Sequence, residues 1–465
     1  MFFFTACTKN ISRFNDETKK PANVPAGPLF SNAVKTLTDG LAQPSVNENI
    51  FRFTVKHWAM AVYQDEAQYD FTTRAIPQTW WTRMYRNVLV DLKESAKIVT
   101  ASSALTAGAK ANQLAMIDIM QVYAYDILVN TFGDVPYSEA LDPEKLFPKY
   151  DDAKTIYADL MKRLADDISK LNASSAGFSS TEDLIYQGNV SKWIKFANSL
   201  QMKMGMTIAD VDNAAAKTAV EAADAKAISS AADNAVIAYL ATSPNYNPLH
   251  LEIIVSGRSD YIAAKDLMDV LIGLNDPRKS QFFGTSNAGL YAGGTVGKVN
   301  TFADFSKPSA KVSAPDAPFL LLDYVETEFY RAEAKERGYT VAGTAQEHYN
   351  NAIRASIIYW GGTNAEADAY LAKPEVAYTT ATGAWRQKIG TQKWIALYNR
   401  PFTGWTELRR LDFPVLTPPD AAKSGFPNRF SYPANEQSLN GTNYTAAAAI
   451  YGGDKVESKL FWDKF

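Results

Sequence analysis

A chain of 465 residues exceeds the size at which one hydrophobic core usually stops growing, so two closely packed lobes are expected. Apolar residues make up 46% and charged residues 21%, the balance of a globular protein and not of a disordered one. A net charge of −3 with no long lysine or arginine run denies nucleic acid its basic stripe, and a single cysteine excludes an intrachain disulfide or a thiolate cluster.

That cysteine, Cys7, follows Phe2-Phe-Phe-Thr-Ala6, which resembles the end of a bacterial lipoprotein signal: apolar residues, a small residue, then the cysteine that takes lipid. Residues 1–27 are accordingly expected to be a signal remnant and polar tether, and 28–465 one helical domain. No later apolar run is long enough to span a bilayer, so the anchor would be lipid alone. Periodicity predicts helices over Leu29–Leu41, Ile50–Tyr63, Gln78–Val99, Ala111–Thr131, Ala153–Leu171 and Trp193–Asp210. The alanine-rich run Asp212–Ala232 favours helix by propensity. Further helices are expected over Ala263–Leu271, Phe319–Arg337, Thr344–Trp360, Trp385–Tyr398 and Gly404–Leu411. Two of them share a sub-pattern, Ala153-x-x-x-Tyr157-x-x-Leu160 and Ala345-x-x-x-Tyr349-x-x-Ala352, which matches the second helix of a tetratricopeptide repeat. The expected fold is mainly α, a tetratricopeptide-like scaffold of helix pairs. Long aromatic loops interrupt it at Gln64–Pro77, Ser243–Tyr261, Phe282–Pro308 and Thr417–Asn443. Loops of that length on a rigid scaffold are where recognition is expected.

The most informative segment is Tyr123-Ala-Tyr-Asp-Ile-Leu-Val-Asn-Thr-Phe-Gly-Asp-Val-Pro-Tyr-Ser-Glu-Ala-Leu141. It reads as the end of an amphipathic helix, stopped by Gly133 and Pro136, followed by an extended polar and aromatic loop. With Asp183-Leu-Ile-Tyr-Gln-Gly-Asn-Val-Ser-Lys-Trp-Ile-Lys-Phe-Ala-Asn-Ser-Leu200, the Ala332-Glu-Ala helix, Trp405-Thr-Glu-Leu-Arg-Arg410 and Pro427-Asn-Arg-Phe-Ser-Tyr-Pro433, it resembles the SusD/RagB family of nutrient-binding outer-membrane lipoproteins. Two positions depart from the family pattern: Lys19-Lys20-Pro21 replaces the usual asparagine of the entry segment, and Asn189 stands where aspartate is commoner. The resemblance implies a non-catalytic, lipid-anchored protein at the outer membrane, facing the cell surface. It would bind an oligosaccharide and deliver it to a SusC-like TonB-dependent transporter. A peptide-binding member of the same family and a periplasmic repeat scaffold that binds proteins are the alternatives.

Catalytic patterns are missing from the sequence. His57, His250 and His348 lack metal-ligand spacing, and there is no nucleophile elbow, Walker loop or dinucleotide fingerprint, so neither metal nor cofactor is expected. Carboxylate pairs such as Asp65/Glu66 and Glu326/Glu333 have the residue types of a glycosidase, but Glu333 is better read as a structural hydrogen-bonding group. A binder of sugars or peptides needs flat aromatic faces with a few fixed polar partners. Two clusters supply candidates. Tyr63, Tyr69 and Trp80 form the first, with Trp81 assigned to the core; Tyr246, Arg258 and Tyr261 form the second, with Tyr291 in the glycine-rich loop beyond. Arg258 has the planar fork to clamp a carboxylate, against a competing ion pair with Asp260 or Asp276.

Overall fold

The computed structural model describes residues 24–45 and 47–465, so Cys7 and nearly all of the expected tether lie outside the described residues. Helices dominate: α1 (Ala26–Ala42), α2 (Ile76–Thr82), α3 (Val90–Ala101), α4 (Ala107–Phe132), α5 (Ala153–Lys170), α6 (Val190–Thr207), α7 (Asn213–Ala223) and α8 (Lys265–Gly273). After them come α9 (Tyr324–Glu336), α10 (Ala345–Tyr359), α11 (Asn364–Leu371), α12 (Trp385–Ala396), α13 (Pro401–Leu411), α14 (Ala434–Leu439) and α15 (Gly441–Ile450). Sequence neighbours pack as antiparallel pairs, notably α4 with α5, α6 with α7, α9 with α10 and α12 with α13. Tyr157 and Tyr349 of the repeat-like pattern are both buried in these seams, beside Leu160 and Ala352. The scaffold is therefore the helix-pair fold expected from the sequence.

Two expected helices are partly strand. Over Ile50–Tyr63 only Phe51–Thr54 makes a helical turn; Lys56 takes a φ of +53°, and β1 (Trp58–Met60) follows. The Phe319–Arg337 segment starts as a strand, Phe319–Leu322, which pairs with Ala235–Ile237. Its four residues are all buried, so burial overrides a pattern that fits either period. Asp323 then caps α9 by accepting a hydrogen bond from Glu326 N at 2.8 Å.

The Phe132–Leu141 signature builds a joint. Gly133 has a φ of +86°, and a Cβ there would lie 2.1 Å from Tyr451 Oη, so only glycine fits. That hydroxyl donates to Asp134 Oδ1 at 2.9 Å, and the same carboxylate oxygen accepts Ala153 N at 2.9 Å, tying the loop to the start of α5. Tyr432 Oη donates to Asp134 O at 2.8 Å, which fastens the C-terminal loop to the same point. Gly133 and Asp134 of the signature are thus structural.

Charged side chains fill the seam between α9, α12 and α13. Arg410 bridges Glu333 (2.5 Å) and Glu407 (2.6 Å), and Lys393 reaches Glu407 at 2.8 Å. Tyr330 Oη joins Glu407 (2.9 Å) to Glu326 (2.6 Å), and Arg400 closes the chain against Glu326 and Asp323. Burial would raise the Glu333 and Glu407 carboxyls, but Arg410 outweighs it and holds both below the ordinary carboxylate range.

Candidate ligand-binding face

Sheet pairing brings the two sequence clusters together. β1 runs antiparallel to Tyr261–Ala263, with Met60 opposite Tyr261, and Ala61 N extends the ladder to Asp260 O at 2.7 Å. The residues leaving β1 at Tyr63 therefore stand beside those entering the partner strand at Arg258. Tyr63 is the exposed element of this face: half its surface is open, at a φ of +59°. Two guanidinium groups flank its ring, Arg74 at 5.7 Å and Arg258 at 5.9 Å from the centroid. The glycine-rich loop closes one side, where Asn300 N bonds Ala61 O at 3.0 Å and Gln68 Nε2 reaches Gly297 O at 2.8 Å.

Both arginines are already paired with carboxylates. Arg258 donates to Asp260 at 2.7 Å and to Glu252 at 3.1 Å, and the Asp260 bond holds its guanidinium above its usual pKa. The competing ion pair is thus the one formed, with Asp260; Asp276 is occupied by Arg278 at 2.6 Å. Arg74 contacts the buried Glu66 and lies 3.7 Å from Asp65. Burial raises the Glu66 carboxyl despite that cation. A carboxylate clamp at Arg258 is not the resting geometry.

The structure corrects three of the seven candidates. Trp80 is fully buried between Phe51 and Phe402, with Nε1 donating to Thr131 Oγ1 at 3.3 Å. Tyr69 is 4% exposed and packs against Phe71 and Phe426; burial pushes its hydroxyl pKa up. Tyr261 is 2% exposed, with its hydroxyl bonded to Glu252 at 3.0 Å, and supports Trp58 from beneath the face. All three are buried in the core. Tyr246 is partly buried against His250, and Tyr291 partly buried under Lys279, whose Nζ lies 4.9 Å from its ring centre. Of the tryptophan pair, Trp81 is the one that reaches a hollow, of about 250 Å³, between the signature loop and α14.

The carboxylate pairs do not line a cleft. Glu326 and Glu333 are fully buried in the ionic seam, and Glu66 is buried beside a half-exposed Asp65. The histidines are packed or bonded: His57 sits with carbonyls at 3.1 Å from each ring nitrogen, His250 binds Ser313 O at 2.9 Å, and His348 pairs with Glu328 at 2.9 Å. Among the described residues no group of three metal-ligating side chains converges, and no helix is long and apolar enough to cross a membrane.

Comparison with known proteins bears on family and fold. Residues 18–433 match a SusD-like family described as "Starch-binding associating with outer membrane". No curated protein matches the chain. Solved structures do: a "chitin-binding protein" is 28% identical with a TM-score of 0.80, covering 95% of this chain and 100% of that one. A SusD homolog from Bacteroides uniformis is 25% identical with a TM-score of 0.78, covering 94% and 99%. A chitin-binding SusD homolog from Flavobacterium johnsoniae shares the fold at 24% identity and a TM-score of 0.80, covering 94% and 97%. With most of its length inside the family match and a solved-structure likeness over nearly all of it, the chain belongs to the SusD-like family, whose members bind ligands and do not transform them.

Proposed function

We propose that the protein captures a glycan at the Tyr63 face and hands it to a SusC-like TonB-dependent transporter, held at the outer membrane by lipid on Cys7. The observation that carries this is one half-exposed tyrosine ring set between Arg74 and Arg258, where β1 and its partner strand join two segments far apart in sequence. An exposed ring of fixed orientation offers a sugar its apolar face, and the flanking forks offer donors to hydroxyl or carbonyl oxygens. Four carboxylates (Asp65, Glu66, Glu252 and Asp260) engage these two arginines, a balance that favours an uncharged sugar over an acidic one. The family description names starch, and a relative at 28% identity is titled chitin-binding, both uncharged polymers.

The test is native affinity electrophoresis against a panel of neutral and acidic polysaccharides, with peptides assayed by calorimetry. Retardation by a neutral glycan is expected, and Tyr63→Ala weakens it about tenfold, the cost of losing one well-placed aromatic anchor. Binding to peptides alone would move the protein to the peptide-binding branch. Unchanged glycan affinity in Tyr63→Ala would remove this face as the site.

A further inference from the structure

The hollow beside Trp81 is a different place from the Tyr63 face, and its chemistry is more specific than its size suggests. Trp81 forms its floor, with walls from Tyr85, Pro136, Leu141, Leu439 and Glu436. The indole is held from several sides: Tyr85 lies 4.8 Å and Phe132 5.0 Å from its ring centre, with Tyr150 at 6.0 Å. Such a ring is pre-organised and costs little to order on binding. At about 250 Å³ the space falls below the ~300–1,000 Å³ of pockets that enclose a drug-sized molecule, so it suits one substituent of a larger ligand.

Two polar groups at this hollow are not used up by the protein. Tyr150 Oη donates to Glu436 Oε2 at 2.7 Å, and Oε1 has no partner among the described residues. The Trp81 Nε1–H has no acceptor among the described residues, and the Trp81 side chain, 8% exposed, lines the hollow. Its neighbour Trp80 differs on both counts, being fully enclosed and bonded to Thr131. Tyr85 Oη is already spent on Pro136 O at 2.6 Å, and Asn440 Nδ2 on Pro148 O at 2.8 Å. What remains is one donor and one acceptor in a mostly apolar recess.

We propose that this recess is a second binding site, which takes a secondary amide carrying a small apolar group. The amide carbonyl accepts from Trp81 Nε1, the amide N–H donates to Glu436 Oε1, and the alkyl group packs on Leu141 and Leu439. An acetamido group on an amino sugar has this chemistry, and so does a peptide unit. An unsubstituted sugar ring has no apolar group to fill the recess. A free amine lacks the carbonyl that the indole N–H requires.

The indole N–H resonances of the nitrogen-15-labelled protein provide the test, with Trp81 assigned as the signal lost in Trp81→Phe. Chitotriose, or N-acetyl-leucine methylamide in a parallel titration, is expected to shift that signal; cellotriose and glucosamine are not. Glu436→Gln, a change at a partly exposed side chain, is expected to weaken the response about tenfold, as for a hydrogen bond to a charged group. A shift with only one of the two amides supports the proposal and names the source. If neither amide moves the Trp81 signal, or cellotriose moves it equally, the proposal falls. Tyr63→Ala leaves the Trp81 shift intact, so failure here and failure of the Tyr63 face are separate results.

Discussion

The seam between α9, α12 and α13 and the segment from Tyr63 to Gln78 are both rich in polar side chains inside the protein, but they treat them in opposite ways. In the seam every carboxylate has a cation or a hydroxyl within hydrogen-bonding distance, Glu333, Glu407 and Arg410 form a closed set, and Lys393 Nζ alone is ion-paired without a well-aligned hydrogen bond. In the Tyr63–Gln78 segment, Gln64 Oε1, Tyr69 Oη and Gln78 Oε1 are buried without partners. The same short stretch places Tyr63, Tyr69 and Ala75 at positive φ, a conformation that side chains bearing a Cβ adopt rarely. Buried polar groups are normally satisfied because the alternative costs about 1–3 kcal/mol each. Strain and unmet hydrogen bonds concentrated in one loop, next to the exposed ring, mark the part of the molecule kept for something other than stability.

Breaking the closed set gives the largest expected effect. Arg410→Met leaves Glu333 and Glu407 buried with one cation fewer, and truncating one partner of a buried ion pair costs about 3–5 kcal/mol. Urea denaturation measures this directly. A loss under 1 kcal/mol would mean that the seam is not the scaffold's polar core. The conserved-volume alternative, replacing the pair by apolar residues, is expected to cost far less because no charge is then left alone.

A smaller effect follows from pH at the edge of the same seam. Asp210 lies between Arg337 (2.8 Å) and Arg386 (2.7 Å). Burial alone would raise its carboxyl, but hydrogen bonds from the two arginines bring it down to about 2. A carboxylate depressed in the folded state stabilises the protein above its unfolded pKa, and that contribution is lost as pH falls through the folded value. Stability is therefore expected to drop between roughly pH 4, the ordinary aspartate value, and about 2. Asp210→Asn should flatten this limb of the urea midpoint against pH. An unchanged acid slope in the variant would assign the loss to other groups.

Most of the scaffold was legible in the sequence because amphipathic helices state their own period. Residues Ala153–Leu171 read as helix and form Ala153–Lys170; the pairing of helices was expected from the repeat-like pattern and the family resemblance. Trp81 joins the core as expected, but Trp80, expected to face outward, is buried as well. Between Arg83 and Leu89 the helix opens into wide i→i+5 turns, and the buried face widens to take in Trp80, Met84 and Leu89 beside Trp81, Val88 and Leu92. The Tyr63–Arg258 contact was beyond sequence reasoning altogether, since it depends on a three-residue strand pair joining segments about two hundred residues apart. Neither strand is long enough to show alternation.

The smallest expected effect sharpens the contrast most. Tyr69 is packed on Phe71 and Phe426, and its hydroxyl has no partner. Tyr69→Phe keeps the packing and removes the orphan, so stability is expected to stay level or rise by up to about 1 kcal/mol, where a bonded buried tyrosine would lose that much. Tyr123, whose hydroxyl donates to Leu321 O at 2.9 Å inside the scaffold, provides the matched control, and Tyr123→Phe is expected to cost about 1 kcal/mol. Equal losses in both variants, measured by the same urea titration, would mean that the Tyr69 hydroxyl is satisfied by a bound water and that the loop is no less complete than the scaffold. Opposite signs would make an unmet hydrogen bond at this position a property the fold tolerates beside its exposed ring, and would locate the loop at the low-stability end from which binding segments are drawn.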